Sequence, residues 1–94
     1  MRFMKAQRVF YKKQQYAEGI VEMVVWQLPK LEPDWPHGHQ YRLVFIQDRV
    51  RVIGYDNERG KGDHRHYGDR EELYRFLDVA TLIQDFLNDV RKHR

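Results

Sequence analysis

One stretch of the sequence constrains the fold more than any other: residues 41–56, which read YRLVFIQDRVRVIGYD. Apolar and polar side chains alternate through much of it, and this period of two is typical of half-buried β-strands. Asp48 and Arg49 lie near the middle, where a two-residue turn would join two strands into a hairpin. Counting outward from that turn pairs Tyr41 with Asp56. The side chains that this register predicts for the core face are Leu43, Phe45, Val50 and Val52.

Two segments before the hairpin also have strand character. Residues 19–28, GIVEMVVWQL, are dense in β-branched side chains and predict a central strand, with Trp26 in the core. Residues 3–13 mix aromatic and basic side chains, which suits an edge strand with one solvated face. All three prolines lie within residues 29–36, so we expect a loop there. The predicted strands are therefore 3–13, 19–28, 41–47 and 50–56.

The end of the chain has the period of a helix. Apolar side chains recur at helical spacing over residues 79–91, and Asp78 stands where an N-cap is expected. Residues 71–76, EELYRF, are predicted to be extended. The apolar stripe of the helix must be covered, and a sheet face can cover it. We therefore predict one α+β domain over residues 1–94: an antiparallel β-sheet meander of about four to five strands with one C-terminal helix packed on one face.

Composition excludes several classes of protein. The 94 residues include no cysteine, so disulfides and thiolate metal sites are excluded. No apolar stretch approaches the ~20 residues that a membrane span needs, so we expect no membrane partner. Strands and helices do not alternate, which disfavours a doubly wound nucleotide-binding sheet. A net charge of +3 permits nucleic-acid binding without establishing it, and we expect a cytoplasmic protein.

Between the hairpin and the helix the sequence becomes densely charged. Residues 55–66 read YDNERGKGDHRH, and eight of these twelve side chains are Asp, Glu, Arg, Lys or His. We predict a loop over residues 57–70 that carries this charge. Continuing the hairpin register brings His39 near Glu58, so the charged loop would lie beside the proline-rich one. The histidines expected to meet at this end of the sheet are His37, His39, His64 and His66.

The histidines of this loop suit acid–base chemistry. If the segment is extended, His64 and His66 project from one side, with Cα atoms roughly 6.5–7 Å apart. One imidazole can then accept a proton while the other donates one, as RNA cleavage without a metal requires. Cationic side chains would stabilise the phosphate, and Gly60 and Gly62 would let the backbone approach it. The catalytic candidates are His64, His66, Asp63 and Glu58, and the substrate-binding candidates are Arg59, Lys61, Arg65, Asp56 and His39.

Other interpretations of the loop stay open. The two histidines, with Asp63 or Asp56, would also make a three-ligand site for a divalent ion. Arg59, Lys61 and Arg65 would raise the free energy of holding a cation there, so we rank metal-free cleavage higher and expect no cofactor. A loop of mixed charge can also be a solvated surface with weak ion pairs.

Several of these motifs resemble those of the TumE family of bacterial toxins. The central motif is YDNERGKGDHRH, followed by REELYRF and by an apolar helix that ends in DFLNDV. Upstream, EMVVWQLP and the hairpin YRLVFI…VRVIGYDNE are also similar, so the resemblance extends from about Gly19 to Val90. Two positions depart from it: Leu73 stands where we expect proline, and the turn at residues 47–49 lacks the glycine that is commoner there. Neither change affects a charged residue of the motif.

The resemblance implies a toxin of a two-gene type II toxin–antitoxin module. The implied partner is a cognate protein antitoxin that carries a DNA-binding helix-turn-helix. Small toxins of this kind are commonly ribonucleases that arrest translation, so RNA or the ribosome is the expected target. Together with the histidine chemistry, this leads to the hypothesis of a metal-independent endoribonuclease. The alternatives are a non-catalytic protein that docks an antitoxin or a ribosomal surface, and a metal-dependent nuclease.

Overall fold

The computed structural model describes residues 5–93 as one antiparallel sheet and one helix. The elements in chain order are β1 (Gln7–Tyr16), β2 (Gly19–Gln27), β3 (His39–Gln47), β4 (Val50–Asp56), β5 (His64–Tyr67), β6 (Arg70–Leu73) and α1 (Val79–Lys92). The strands lie side by side in the order β1 to β6, so each pairs with its neighbour in the sequence. The α+β class and the C-terminal helix are confirmed. The predicted count of four to five strands is wrong, because the described part of the chain forms six.

The additional strands lie in the polar segment after β4, where the sequence predicts a loop over residues 57–70 and an extended segment. β5 pairs with β4, and Gly68, at a positive φ of 60°, turns the chain into β6. The segments HRHY and REEL contain few apolar side chains, so hydrophobic alternation does not reveal them. Cross-strand pairs of charged side chains, such as Arg65 with Glu72, support this hairpin instead.

Two-residue turns connect the first four strands in pairs. The turn at residues 48–49, with φ of 51° and 66°, joins β3 to β4 as predicted. A second turn at residues 17–18, with φ of 47° and 62°, joins β1 to β2. Positive φ at both positions matches the twist of the flanking strands. β1 therefore runs to Tyr16, past the end predicted at residue 13, and residues 3 and 4 of that prediction lie outside the described part of the chain.

A β-bulge changes the register of the central hairpin. Gln47 pairs with Val50 beside the turn, but further along Phe45 pairs with Ile53. β4 therefore has one more residue than β3 over this stretch. Because side chains alternate between faces, an extra residue moves every later side chain of β4 to the opposite face from the one predicted.

One predicted pairing fails for this reason. Asp56 lies opposite Arg42, so its predicted pairing with Tyr41 is wrong. Val50 pairs with Gln47 as predicted, but it lies beside the turn and is 56% exposed rather than part of the core. Ile53, which follows the bulge, is buried. The buried side chains of the hairpin on the core face are Tyr41, Leu43, Phe45, Ile53 and Tyr55, with Val52 partly buried against them.

The helix packs across one face of the sheet. Asp78 is its N-cap and accepts a hydrogen bond from the Thr81 backbone N–H at 2.7 Å. The buried stripe of the helix consists of Leu82, Phe86 and Val90. It completes a core to which the strands contribute Val21, Met23, Val25, Tyr41, Leu43, Phe45, Ile53 and Tyr55. Among the described residues, no helix is long and apolar enough to cross a membrane.

The other face of the sheet, which we name the open face, has no helix on it in the part of the chain that the structure describes. Alternation along β2 sends Val21, Met23 and Val25 into the core, and therefore places Trp26 on the open face. Trp26 is 36% exposed, so the prediction that it belongs to the core is wrong.

The bulge can be tested by two substitutions in one strand. We expect Ile53→Ala to lower the free energy of unfolding by about 2–5 kcal/mol, because it removes a buried side chain from the core. Val50→Ala should lower it by less than about 1 kcal/mol, because Val50 is mostly exposed. Urea unfolding of both variants measures the difference. Equal losses would contradict the observed register.

Candidate functional site

Two rows of cross-strand neighbours on the open face define the candidate site. Side chains directly opposite each other in paired strands project from the same face. The first row contains Tyr11, Val24, Arg42, Asp56, His64 and Leu73, and the second contains Lys13, Glu22, Val44, Gly54, His66 and Glu71. The rows bring together four side chains, which we name the histidine cluster: Asp56, His64, His66 and Glu71.

Short distances connect the members of the histidine cluster. The ring centroids of His64 and His66 are 4.8 Å apart, so the two histidines share one side of β5, as their alternation predicts. Asp56 Oδ1 lies 2.6 Å from His64 Nε2, and its Oδ2 lies 3.7 Å from His66 Nε2. Glu71 Oε2 is 3.6 Å and 3.4 Å from the same two nitrogens. The side chain of His64 is 6% exposed and that of His66 is 13% exposed, so His66 is the more accessible ring.

Arg51 adds a positive charge beside the histidine cluster. Its Nη1 lies 3.8 Å from Asp56 Oδ2. Gly54 makes room for this side chain, because a Cβ at that position would lie 2.8 Å from Arg51 Cδ. Burial, together with the charge of Arg51, lowers the pKa of His66 below its ordinary value of 6.5. The neutral form of His66 is therefore favoured near neutral pH.

The tautomer of His64 follows from its contact with the backbone. Nδ1 lies 2.9 Å from the carbonyl oxygen of Gly62, and because a carbonyl only accepts, we assign the proton to Nδ1. In the neutral ring Nε2 then carries a lone pair on the side of Asp56. Asp56 Oδ1 is buried and has no hydrogen-bond partner among the described residues, although His64 Nε2 lies 2.6 Å from it.

Three of these side chains could also hold a cation. Asp56, His64 and His66 each offer one ligand atom, and these atoms lie within 4.8 Å of one another. Two imidazoles and a carboxylate form a donor set that suits first-row divalent metals.

Arg65 lies on the other side of β5, facing the helix. Its Nε donates to Glu72 Oε1 at 2.8 Å, and its Nη1 donates to the Tyr55 hydroxyl at 3.2 Å. The same guanidinium lies 4.0 Å from Asp89 on the helix. The structure therefore does not bring Arg65 to His64 and His66, although it stands between them in the sequence.

Asp63 also points away from the histidine cluster. It accepts a hydrogen bond from the Tyr41 hydroxyl at 2.6 Å, and its Oδ1 is 3.0 Å from His37 Nε2. His37 stacks on Phe76 with centroids 3.8 Å apart, and His39 lies 5.5 Å from the same ring. Because Tyr41 and Phe76 belong to the helix side of the sheet, the four histidines meet at one end of it but on opposite faces.

The remaining predicted residues lie at the exposed tip of the segment between β4 and β5. Arg59 Nη1 donates to Asp34 at 2.9 Å, and its guanidinium lies 4.6 Å above the Trp35 ring. Glu58 is exposed, and its carbonyl accepts a hydrogen bond from the Lys61 backbone N–H at 3.1 Å. Of this group, Lys61 is the one placed toward the cluster: a surface pocket of about 410 Å³ is lined by Lys61, His64, Glu71, Glu72 and Leu73.

Asn57 anchors the tip to the rest of the fold. Its side chain is almost fully buried: Oδ1 accepts from the Tyr41 backbone N–H at 2.9 Å, and Nδ2 donates to the His39 carbonyl at 2.8 Å. The same amide donates to Asp63 Oδ1 at 3.2 Å. Trp35 Nε1 donates to the Asn57 carbonyl at 2.6 Å, which ties the proline-rich loop to the end of β4.

Sequence reasoning missed three residues of the site and its support. Glu71 and Arg51 were not candidates, because their positions beside the histidines depend on the β5–β6 hairpin and on the bulge. Asn57 belongs to the charged motif, but its neutral, short side chain gave no signal of a structural role. The sequence offers one sign of this role: Asn57 directly follows a strand, where a short polar side chain can satisfy backbone groups at the strand end.

Comparison with known proteins gives one match. A family model described as Toxin TumE matches residues 3–94, which include every member of the histidine cluster. No curated protein and no solved structure matches the chain.

The anchoring role of Asn57 predicts a large loss of stability. We expect Asn57→Ala to lower the free energy of unfolding by about 2–4 kcal/mol, because buried partners such as the Tyr41 backbone N–H lose their hydrogen bonds. The matched control is Asn88→Ala on the helix surface, where we expect a loss below about 1 kcal/mol. Chemical denaturation measures both, and a small loss for Asn57→Ala would contradict the role.

Proposed function

The chain belongs to the TumE toxin family, and from this premise we propose that it is the toxin of a type II toxin–antitoxin pair and acts as a metal-independent endoribonuclease at the histidine cluster. Its partner would be a protein antitoxin with a DNA-binding helix-turn-helix. The reaction would take place in the cytoplasm, where RNA is available. The observation that carries the proposal is the pair of imidazoles with ring centroids 4.8 Å apart on an open sheet face.

The proposed reaction transfers two protons. His66 acts as the base, since burial and Arg51 lower its pKa and favour the neutral ring. It removes the proton of a ribose 2′-hydroxyl, whose oxygen attacks the adjacent phosphorus. The bond from phosphorus to the 5′-oxygen breaks, and His64, doubly protonated beside the Asp56 carboxylate, donates its Nε2 proton to that oxygen. The products are a 2′,3′-cyclic phosphate and a free 5′-hydroxyl.

The side chains that orient an imidazole and bind the phosphate in this proposal differ from those that the sequence suggested. Asp56 replaces Asp63 as the carboxylate that orients an imidazole, because Asp56 contacts both rings and Asp63 contacts His37. Arg51 and Lys61 are the proposed phosphate ligands, in place of Arg59 and Arg65, whose guanidinium groups are engaged elsewhere.

The open face offers a path for the RNA strand. Tyr11 and His64 occupy one row, four strand spacings or roughly 19 Å apart. Cationic Arg42 lies between them, and exposed Trp26 lies on the neighbouring row of β2. Proteins that bind single-stranded RNA on a sheet combine such cations with aromatic side chains on which bases stack.

The catalytic assignment predicts that each histidine is needed. We expect His64→Ala and His66→Ala each to reduce the rate of RNA cleavage about 10²–10⁴-fold, because each removes one proton-transfer group. Growth arrest on induced expression should be lost in parallel. His93→Ala, at the end of the helix, is the matched control and should retain both activities. Circular dichroism verifies that the variants fold.

Particular outcomes would reject the proposal. Full cleavage by both variants would exclude the histidine cluster as the catalytic site. In another outcome, the protein arrests growth when it is expressed and yet cleaves no RNA when it is purified, with or without metals. That result would favour a non-catalytic protein that docks the ribosome. Cleavage that disappears on treatment with chelator, and returns with a divalent ion, would show a metal-dependent nuclease.

The open face also predicts a binding defect. Trp26→Ala should weaken binding of single-stranded RNA by about 1–3 kcal/mol, the usual contribution of a stacked base, in a protein that remains folded. Leu77→Ala, which removes an exposed apolar side chain outside the sheet, is the control and should bind normally. Fluorescence anisotropy with a labelled oligonucleotide compares them. Unchanged affinity of the Trp26 variant would exclude this path for the strand.

A further inference from the structure

We propose that Asp56, His64 and His66 form a binding site for a first-row divalent metal ion of the Zn²⁺ class, and that the bound ion inhibits RNA cleavage. The second half of this inference rests on the proposed function, whereas the first half does not. The site uses one oxygen of Asp56 and the Nε2 atoms of both histidines, all within 4.8 Å of one another.

The strongest observation is the unpartnered oxygen of Asp56. The residue is 7% exposed, and its Oδ1 has no hydrogen-bond partner among the described residues. His64 Nε2 is only 2.6 Å away, but with the proton on Nδ1 it presents a lone pair. A lone pair and a carboxylate oxygen repel at this distance unless a positive species joins them. A second proton on His64 or a metal ion satisfies this need.

The missing hydrogen bond favours the ion over the proton. Asp56 Oδ1 makes no hydrogen bond to His64 Nε2, although the two atoms are 2.6 Å apart. A cation shared by two ligand atoms lies off the line that joins them, so it needs no N–H aimed at the oxygen. The Nδ1 contact with the Gly62 carbonyl is also the usual support of a histidine that binds a metal through Nε2.

The distances from the Asp56 carboxylate to the two histidines require a small adjustment. Ligand atoms about 2.0–2.2 Å from a tetrahedral ion lie roughly 3.3–3.6 Å from one another. Asp56 Oδ2 and His66 Nε2 are 3.7 Å apart, close to this range. Asp56 Oδ1 and His64 Nε2, at 2.6 Å, would separate by less than about 1 Å, which a rotation of the carboxylate can supply.

The charges around the site also favour a cation. Glu71 Oε2 lies 3.4–3.6 Å from both imidazole nitrogens and offers a fourth ligand. The sequence argument against a metal relied on Arg59, Lys61 and Arg65, but Arg65 faces the helix and Arg59 is bound to Asp34. Lys61 lines the pocket beside His64 and opposes the ion, but its side chain is exposed and can move into solvent. Arg51, 3.8 Å from Asp56, opposes the ion, but its side chain is 37% exposed and can move into solvent.

Metal binding and the proposed cleavage exclude each other. The ion occupies the Nε2 lone pairs that would otherwise accept or release protons, so a loaded site has neither base nor acid. A toxin with such a site would be held inactive while the metal is bound and would become active when it is removed.

The experiment measures binding directly, without RNA. Untagged, chelator-treated protein is titrated with Zn²⁺ in competition with a chromophoric chelator, and Co²⁺ is added separately to record its visible spectrum. We expect one ion per chain and intense Co²⁺ bands typical of tetrahedral nitrogen and oxygen ligands. Asp56→Asn and His66→Ala should each weaken Zn²⁺ binding by more than about tenfold, whereas His93→Ala should not.

The outcomes separate the two proposals. Absence of stoichiometric binding by the folded wild-type protein, or equal affinity in all variants, would overturn the metal site. If the variants do not fold, a Co²⁺ spectrum of the wild-type protein without tetrahedral bands would do so. Binding followed by loss of RNA cleavage on adding Zn²⁺ supports both proposals. Binding followed by activation would keep the site, overturn the inhibition and reject metal-independent cleavage.

Discussion

The structure depends on one extra residue in β4. Without the bulge, Asp56 would lie opposite Tyr41 and would face the core, and Tyr55 would lie on the open face. With it, Tyr55 fills the core beneath the helix, and Asp56 meets His64 on the open face. Arg51 precedes the bulge and projects from the open face in either register, and the shift brings Gly54 and Asp56 to its side, where Gly54 leaves room for its side chain. The bulge thus places Tyr55 in the core and also brings Asp56 into the histidine cluster.

Side chains alternate along β5, so the histidines proposed for catalysis and the arginine that contacts the core lie on opposite faces of one short motif. His64 and His66 project to the open face, while Arg65 between them projects toward the helix, where it contacts Tyr55 and Glu72. The charged stretch is therefore not one site but two layers. On the helix side, Arg65 connects the β5–β6 hairpin to Asp89 of the helix. On the open face, the histidine cluster presents imidazoles and carboxylates that can exchange a proton or bind a cation.

Polar and aromatic side chains surround the histidine cluster on the open face. The helix covers one side of the sheet completely enough to form the core, so the other side is free to carry polar and aromatic side chains such as Tyr11, Trp26 and Arg42. Asn57 anchors the charged segment to β3 by satisfying backbone groups of Tyr41 and His39. A polar site at a sheet end needs such support, because strand ends leave backbone groups unpaired.

Local patterns in the sequence determined the strands that contain apolar side chains, the turn at residues 48–49, the helix with its Asp78 cap and the shared side of His64 and His66. Each depends on neighbours a few residues apart. Only the tertiary structure decided the bulge, the polar strands β5 and β6, and which carboxylate meets the histidines. These depend on pairings between distant segments, and a shift of one residue exchanges the two faces of a strand without changing its composition.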